Sequence, residues 1–244
     1  MRYIYAIVML FLVSCKPSYT AQEIVDKSIE NSKLKVLKNA SISFDFRNKK
    51  YQADRNNGVF EFIKTEKKDS LNIKDILSNN SFKRYINGNL IELSDKKQKA
   101  YGNSVNSVHY FSILPLGLND KAVYKKILGK VKIKGKEYYK VEVTFNENGG
   151  GTDFDDVFIY WFFKDNFQLD YIAYKYHTNG GGVRFRDVKK ETFVDGIRFV
   201  DYNNYKPLEK DIDFYMIDKL YEEGKLKKLS EIILENIKVK LSKN

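Results

Sequence analysis

The sequence predicts a mainly β chain, folded as an antiparallel meander behind an N-terminal helix. Three observations carry that prediction. Helical spacing of apolar residues occurs near the start, where Ile24, Val25, Ser28 and Ile29 fall on one face. Beyond about residue 40 the period shortens to two, the signature of a half-buried strand: in SISFDFR, Ile42, Phe44 and Phe46 alternate with Ser43, Asp45 and Arg47. Further segments of this kind then follow one another with short turns between them, which is the pattern of hairpin-connected strands.

The first fifteen residues, MRYIYAIVMLFLVSC, stand apart from the fold. Arg2 gives a short positive start and Ile4 to Val13 an apolar run, shorter than the roughly 20 residues a spanning helix needs. The run ends in Leu12-Val13-Ser14-Cys15, which resembles a bacterial lipobox, and Cys15 is the 1 cysteine of the chain. A disulfide framework is therefore excluded. The expected organisation is a lipoprotein signal peptide over residues 1–14, a lipidated N-terminus and tether over 15–20, and a single domain over 21–244. Acyl chains on Cys15 would make the membrane surface a partner.

Within the domain, Thr20-Ala21-Gln22-Glu23 has capping-box spacing and starts a helix over about 21–33. Strands follow in SISFDFR, GVFEFIK and RYINGNLIEL, the last with a hairpin at Asn87-Gly88. Residues 104–130 interrupt the alternation; they are apolar, contain Pro115 and Gly117, and predict one or two short helices lying over the open face of the sheet. Asn119-Asp120 is read as the start of a helix through AVYKKIL. KEYYKVEVTF resumes the strands, and VFIYWFF is apolar on both faces, as a strand buried on two sides should be. LDYIAYKYH, RFRDVKKETF and GIRFVDYNNY complete the series. A short helix in DFYMIDKLYEEGK ends near Gly224, and SEIILENIKVKL is rich enough in β-branched residues to predict a strand.

The net charge is +11. Such a charge can serve attraction to anionic head groups or can simply be a solvated lysine surface. The lysines are scattered and interleaved with Asp and Glu, and no arginine–aromatic pattern for bases occurs, so nucleic acid is not an expected partner.

NGGG occurs twice, at 148–151 and 179–182. Alternate turns of a meander lie at the same end of the sheet, so both loops are expected on one rim, with Lys164–Phe167 on the other. Asp153, Asp155, Asp156, His177, Arg184 and Arg186 should meet there, with an arginine tied to one of the acids. Strands rather than helices follow both loops, which argues against a phosphate cradle. Asp153, Asp155 and His177 make a weak metal pattern, and no metal or cofactor is assigned. No G-x-S-x-G elbow occurs and no catalytic residue is assigned. His109 lies in the apolar insert and reads as packed.

The runs VNSVHYFSILPLGLNDKAVYKKILG, NGGGTDFDDVFIYWF, LDYIAYKYHTNGGGVRFRD and GIRFVDYNNYK resemble an uncharacterised outer-membrane lipoprotein family of the Bacteroidota. Some of its members carry a deoxyribose-phosphate aldolase label. The alternating strand–helix units of such barrels are missing from this chain. The architecture is also similar to the LolA/LolB-like carriers that sort lipoproteins. This likeness implies a strongly curved, unclosed half-barrel with an N-terminal helix and short lid helices. Its concavity would be lined by Phe44, Phe46, Phe60, Phe62, Val141, Val143 and Trp161 and could bind a hydrophobic or lipid-like ligand. Two alternatives stay open: a structural or interaction lipoprotein with a filled core, and an envelope enzyme using the acidic–basic rim. Surface export in these bacteria follows acidic residues after the lipidated cysteine; Lys16-Pro17-Ser18 has none, which implies an outer-membrane anchor facing the periplasm.

Overall fold

The computed structural model describes residues 19–147, 154–177 and 180–242. The expected signal peptide, Cys15, the first NGGG triplet and Asp153 lie outside the described residues. Helix α1 (Ala21–Asn31) starts at the predicted capping box: the Thr20 hydroxyl accepts from the Glu23 amide at 3.2 Å, and the Glu23 carboxylate accepts from the Thr20 amide at 2.7 Å. Its Ile24, Val25 and Ile29 are buried.

Two seven-stranded antiparallel sheets follow. The first contains β1 (Ala40–Phe46), β2 (Lys49–Asn56), β3 (Val59–Lys68), β4 (Leu71–Ser78), β5 (Phe82–Ile86) and β6 (Asn89–Ile91). Asn87 and Gly88 close the β5–β6 hairpin with φ of 49° and 85°, the left-handed pair a type I′ turn requires. Helix α2 (Asp95–Ser112) then lies on this sheet, against β3, β4 and β5. The second sheet contains β7 (Val123–Ile133), β8 (Lys136–Phe145), β9 (Val157–Phe163), β10 (Leu169–Tyr176), β11 (Gly182–Val194), β12 (Ile197–Pro207) and β13 (Leu226–Ile232), with α3 (Ile217–Glu222) between the last two. The final strand, β14 (Glu235–Leu241), crosses to the first sheet and pairs with β1, while β13 pairs with β12. The crossing is fixed where the Leu234 amide donates to Asp201 Oδ1 at 2.9 Å. β14 and β6 are the edges of the first sheet and β13 and β7 those of the second, so the two sheets form an unclosed wrap. This is the mainly β, antiparallel, half-open architecture that the sequence predicts, and it is not a (β/α)₈ barrel.

Three expectations need correction. The covering helix is longer and earlier than predicted, running over 95–112 rather than starting within 104–130. AVYKKIL belongs to β7, not to a helix. Its pairing with β8 shifts between Ile127 and Gly129, where Gly129 has φ of 133°. A bulge of this kind moves side chains to the other face part-way along the strand, which destroys the alternation a reader looks for. SEIILENIKVKL contributes to two strands in different sheets rather than one.

The main core lies between the inner faces of the two sheets and is plugged by α1 and by Ile113, Leu114, Leu116 and Leu118. Strand β9 is buried on both sides. Phe158, Tyr160 and Phe162 enter the main core, while Ile159 and Trp161 enter a second core on the outer face, closed by Phe214 and Ile217.

Candidate ligand-binding site

Helix α2 has two working faces. Gly102, Val105 and His109, spaced at three and four, are buried on the first sheet. A Cβ on Gly102 would meet Leu77 at 3.4 Å, so glycine sets how closely the helix approaches. Arg84, held to buried Asp75 at 2.6 Å, stacks on the Tyr101 ring at 3.5 Å and pins the first half of α2. His109 sits among Phe62, Tyr51 and Phe44, at ring distances of 4.6, 5.6 and 5.8 Å. Burial, reinforced by the Arg55 guanidinium, pushes its imidazole down to about 3, so it is packed as a neutral ring.

The opposite side of α2, with Asn103, Asn106, Ser107, Tyr110 and Phe111, faces the second sheet across a cavity of about 540 Å³. Strand register orders the sheet side of this cavity. One row of paired residues runs Val141, Tyr160, Ile172, Arg186, Asn204, Ser230 across β8 to β13. The next runs Val143, Phe158, Tyr174, Arg184. Paired residues share a face, so along these two rows the inner surface grades from apolar on β8–β10 to polar on the strands from β11 onward.

Arg186 is only 6% exposed. Its Nη2 donates to the Tyr174 hydroxyl at 2.8 Å, and the guanidinium lies 4.0 Å from the centre of the Phe111 ring. Among the described residues Nε and Nη1 have no hydrogen-bond partner, and no carboxylate forms an ion pair with Arg186. The Tyr202 hydroxyl and Asn204 Oδ1, both in the same cavity, are likewise buried without partners. Burial pushes the Tyr202 hydroxyl up to about 12, with Arg198 and Arg186 pulling it the other way, so it is a neutral O–H. Buried polar groups are nearly always satisfied in folded proteins, and guanidinium does not escape by losing its proton.

The strand ends that flank the two NGGG stretches lie at the rim of the cavity. Val143, Phe158, Tyr174 and Arg184 are paired in one row close to the strand ends, so the ends that flank both NGGG stretches lie on one rim, with Lys164–Phe167 opposite. Gly180 and Gly181 have φ of 87° and 71°. A Cβ at Gly181 would stand 3.0 Å from the Tyr176 carbonyl oxygen, so both the backbone angle and the space call for glycine. His177 Nδ1 lies 3.2 Å from Asp155 Oδ2 and 3.9 Å from Asp156 Oδ1. These three residues offer ligand atoms within 4.8 Å of one another, but His177 and Asp155 are 52% and 49% exposed. The expected arginine–acid tie is not formed by Asp155 or Asp156. Arg184 instead donates to the Val183 carbonyl at 2.9 Å and lies over the Tyr176 ring.

The residues expected to line one concavity are divided among four places. Phe46 lines the cavity. Phe44, Val141 and Val143 are buried in the main core beside it. Phe60 and Phe62 pack under α2 with Val105. Trp161 faces the other way, into the outer core, because the parity of β9 alternates between two buried faces. Of the rim residues, Asp156, Arg184 and Arg186 line the cavity, and Asp155 and His177 stand beside it. Phe111, Tyr174, Tyr202 and Asn204 were missed. The pairing of RFRDV with VDYNNY was the one signal that could have placed Asn204 beside Arg186.

Among solved structures, the LolA superfamily protein NE2245 from Nitrosomonas europaea is similar, with 14% identity, a TM-score of 0.54, and coverage of 93% of this chain and 96% of that one. A DUF1329 family protein from Desulfovibrio piger aligns at 12% identity with a TM-score of 0.46, covering 93% and 96%. The first likeness shows a LolA-like fold and, at that identity, the fold alone. No curated protein matches the chain. Among the described residues no helix is long and apolar enough to cross a membrane. Residues 2–235 match a family model, and the chain belongs to that family, the Family of unknown function (DUF6503).

Proposed function

We propose that this protein is an envelope lipoprotein, anchored through acylated Cys15 on the periplasmic side of the outer membrane, that holds a hydrophobic, lipid-like ligand between α2 and the second sheet. The observation that carries this reading is the cavity of about 540 Å³. That volume falls within the roughly 300–1,000 Å³ range of ligand sites. Its walls include Phe111, Phe145, Phe158, Tyr174, Val200 and Ile232, which suit acyl chains. The fold shared with a LolA superfamily protein supports the same reading. Half of the wrap is not available, because α2 fills the space over the first sheet with Val105 and His109.

Native mass spectrometry of the protein released from its own envelope tests both parts. The expected spectrum shows an acylated N-terminal Cys15 and a second, non-covalent adduct that is lost on denaturation and recovered by lipid extraction. A folded protein with no adduct and no extractable lipid would leave a filled, structural lipoprotein instead.

A further inference from the structure

The polar wall of the cavity says more about what it would hold. Among the described residues, four charged side chains line the space: Arg47, Arg184, Arg186 and Asp156. Asp156 accepts from the His177 amide at 3.3 Å and has the His177 ring at 3.9 Å, so its carboxylate is engaged at the rim. The three arginines leave the cavity electropositive. Arg186 is the deepest of them, and its unused Nε and Nη1 stand with the unused Tyr202 hydroxyl on the same inner face. Asn204, paired with Arg186 across β11 and β12, gives its Nδ2 to Ser230 at 3.2 Å and keeps an unused Oδ1. Donors buried beside aromatic rings, as Arg186 and Tyr202 are, bind an anionic oxygen group better than donors in water do.

We infer that the ligand is an anionic amphiphile, whose carboxylate or phosphate head is bound by Arg186 and Tyr202 while its apolar chain lies along Phe111, Phe145 and Phe158. A singly protonated phosphate monoester would also give its O–H to Asn204 Oδ1; a carboxylate would leave that contact unused. This inference rests on the reading of the cavity as a ligand site.

Calorimetric titration of the full chain with decanoate, decyl phosphate, decan-1-ol and inorganic phosphate separates the two. The expected result is that both anionic amphiphiles bind at least about tenfold tighter than decan-1-ol, in line with charge-assisted hydrogen bonds, and that Arg186→Gln abolishes the difference while decan-1-ol binding stays. Arg186→Lys should restore part of it. If Arg186→Gln melts early, Asn204→Ala, which keeps the arginine, should still weaken decyl phosphate more than decanoate. Equal binding of decan-1-ol and decanoate, unmoved by Arg186→Gln, would overturn the anionic head and leave the hydrophobic site standing. Inorganic phosphate binding as tightly as decyl phosphate would overturn the amphiphile and the lipid-like reading together, leaving a free-anion site. No binding by any probe would also defeat both.

Discussion

Trp161→Ala is expected to lower stability by about 3–5 kcal/mol while leaving ligand binding in the cavity unchanged. The ring is fully buried in the outer core beside Phe185, at 5.6 Å between centroids. Lys140 lies 5.3 Å from its centre and is itself tied to Asp218 at 2.8 Å and to the Tyr215 carbonyl at 2.6 Å. Truncation therefore opens a hole under α3 and loosens the ion pair that holds that short helix against β8. None of this touches the inner face, where neighbouring Tyr160 and Phe162 point. Urea denaturation gives the stability loss as a shift in midpoint at unchanged slope, and titration with a lipid probe gives the binding. A variant of near-normal stability that no longer binds would place the indole in the cavity.

Acidification should destabilise the wild type by about 2 kcal/mol more than it destabilises His109→Phe between pH 7 and pH 5, taking about 1.4 kcal/mol per unit of pKa difference. His109 is fully buried and its folded pKa is pushed from 6.5 down to about 3. Between those values the unfolded chain takes up a proton that the folded chain refuses. The stability contributed by the neutral ring is thus complete above 6.5 and is lost as pH falls toward 3. Phenylalanine keeps the aromatic packing against Phe62 and removes the titration. Equal pH slopes for the two proteins, measured as urea midpoints, would show that position 109 stays solvated and that α2 is not pinned to the first sheet as described. Because the other side of α2 forms a cavity wall, such a result would also weaken the site.

Much of the architecture was legible because local signals agreed. The capping box at Thr20, the Asn87-Gly88 turn and the two-sided apolar run of β9 each dictate one local structure. The strand parity that brings the ends flanking the two NGGG stretches to one rim follows from counting alone. What was not legible has physical causes. The bulge at Gly129 moves β7 out of phase, so its alternation averages away. The central strands of the second sheet, β8 to β10, are buried on both faces, and hydrophobicity then carries no inside–outside signal. In RFRDV the apolar residue Phe185 faces the outer core, while Arg184 and Arg186 face the cavity. A reading that sends phenylalanine inward would reverse that strand. Trp161 was misplaced for the same reason. The polar cluster of Arg186, Tyr202 and Asn204 depends on the register of β11 with β12, which contains a shift near Val188. Only the folded pairing brings these three together.

Photo-crosslinking with a fatty acid that carries a diazirine on its chain, mapped by peptide mass spectrometry, tests the cavity most directly. Label is expected on the Asn103–Ser112 face of α2 and on Phe158, Tyr174 and Tyr202 of the facing sheet, and not on Trp161, Phe185, Phe60 or Phe62. Label confined to the outer faces or to the cluster beneath α2, or no label above background in a folded protein, would contradict the assignment of this cavity as the ligand site.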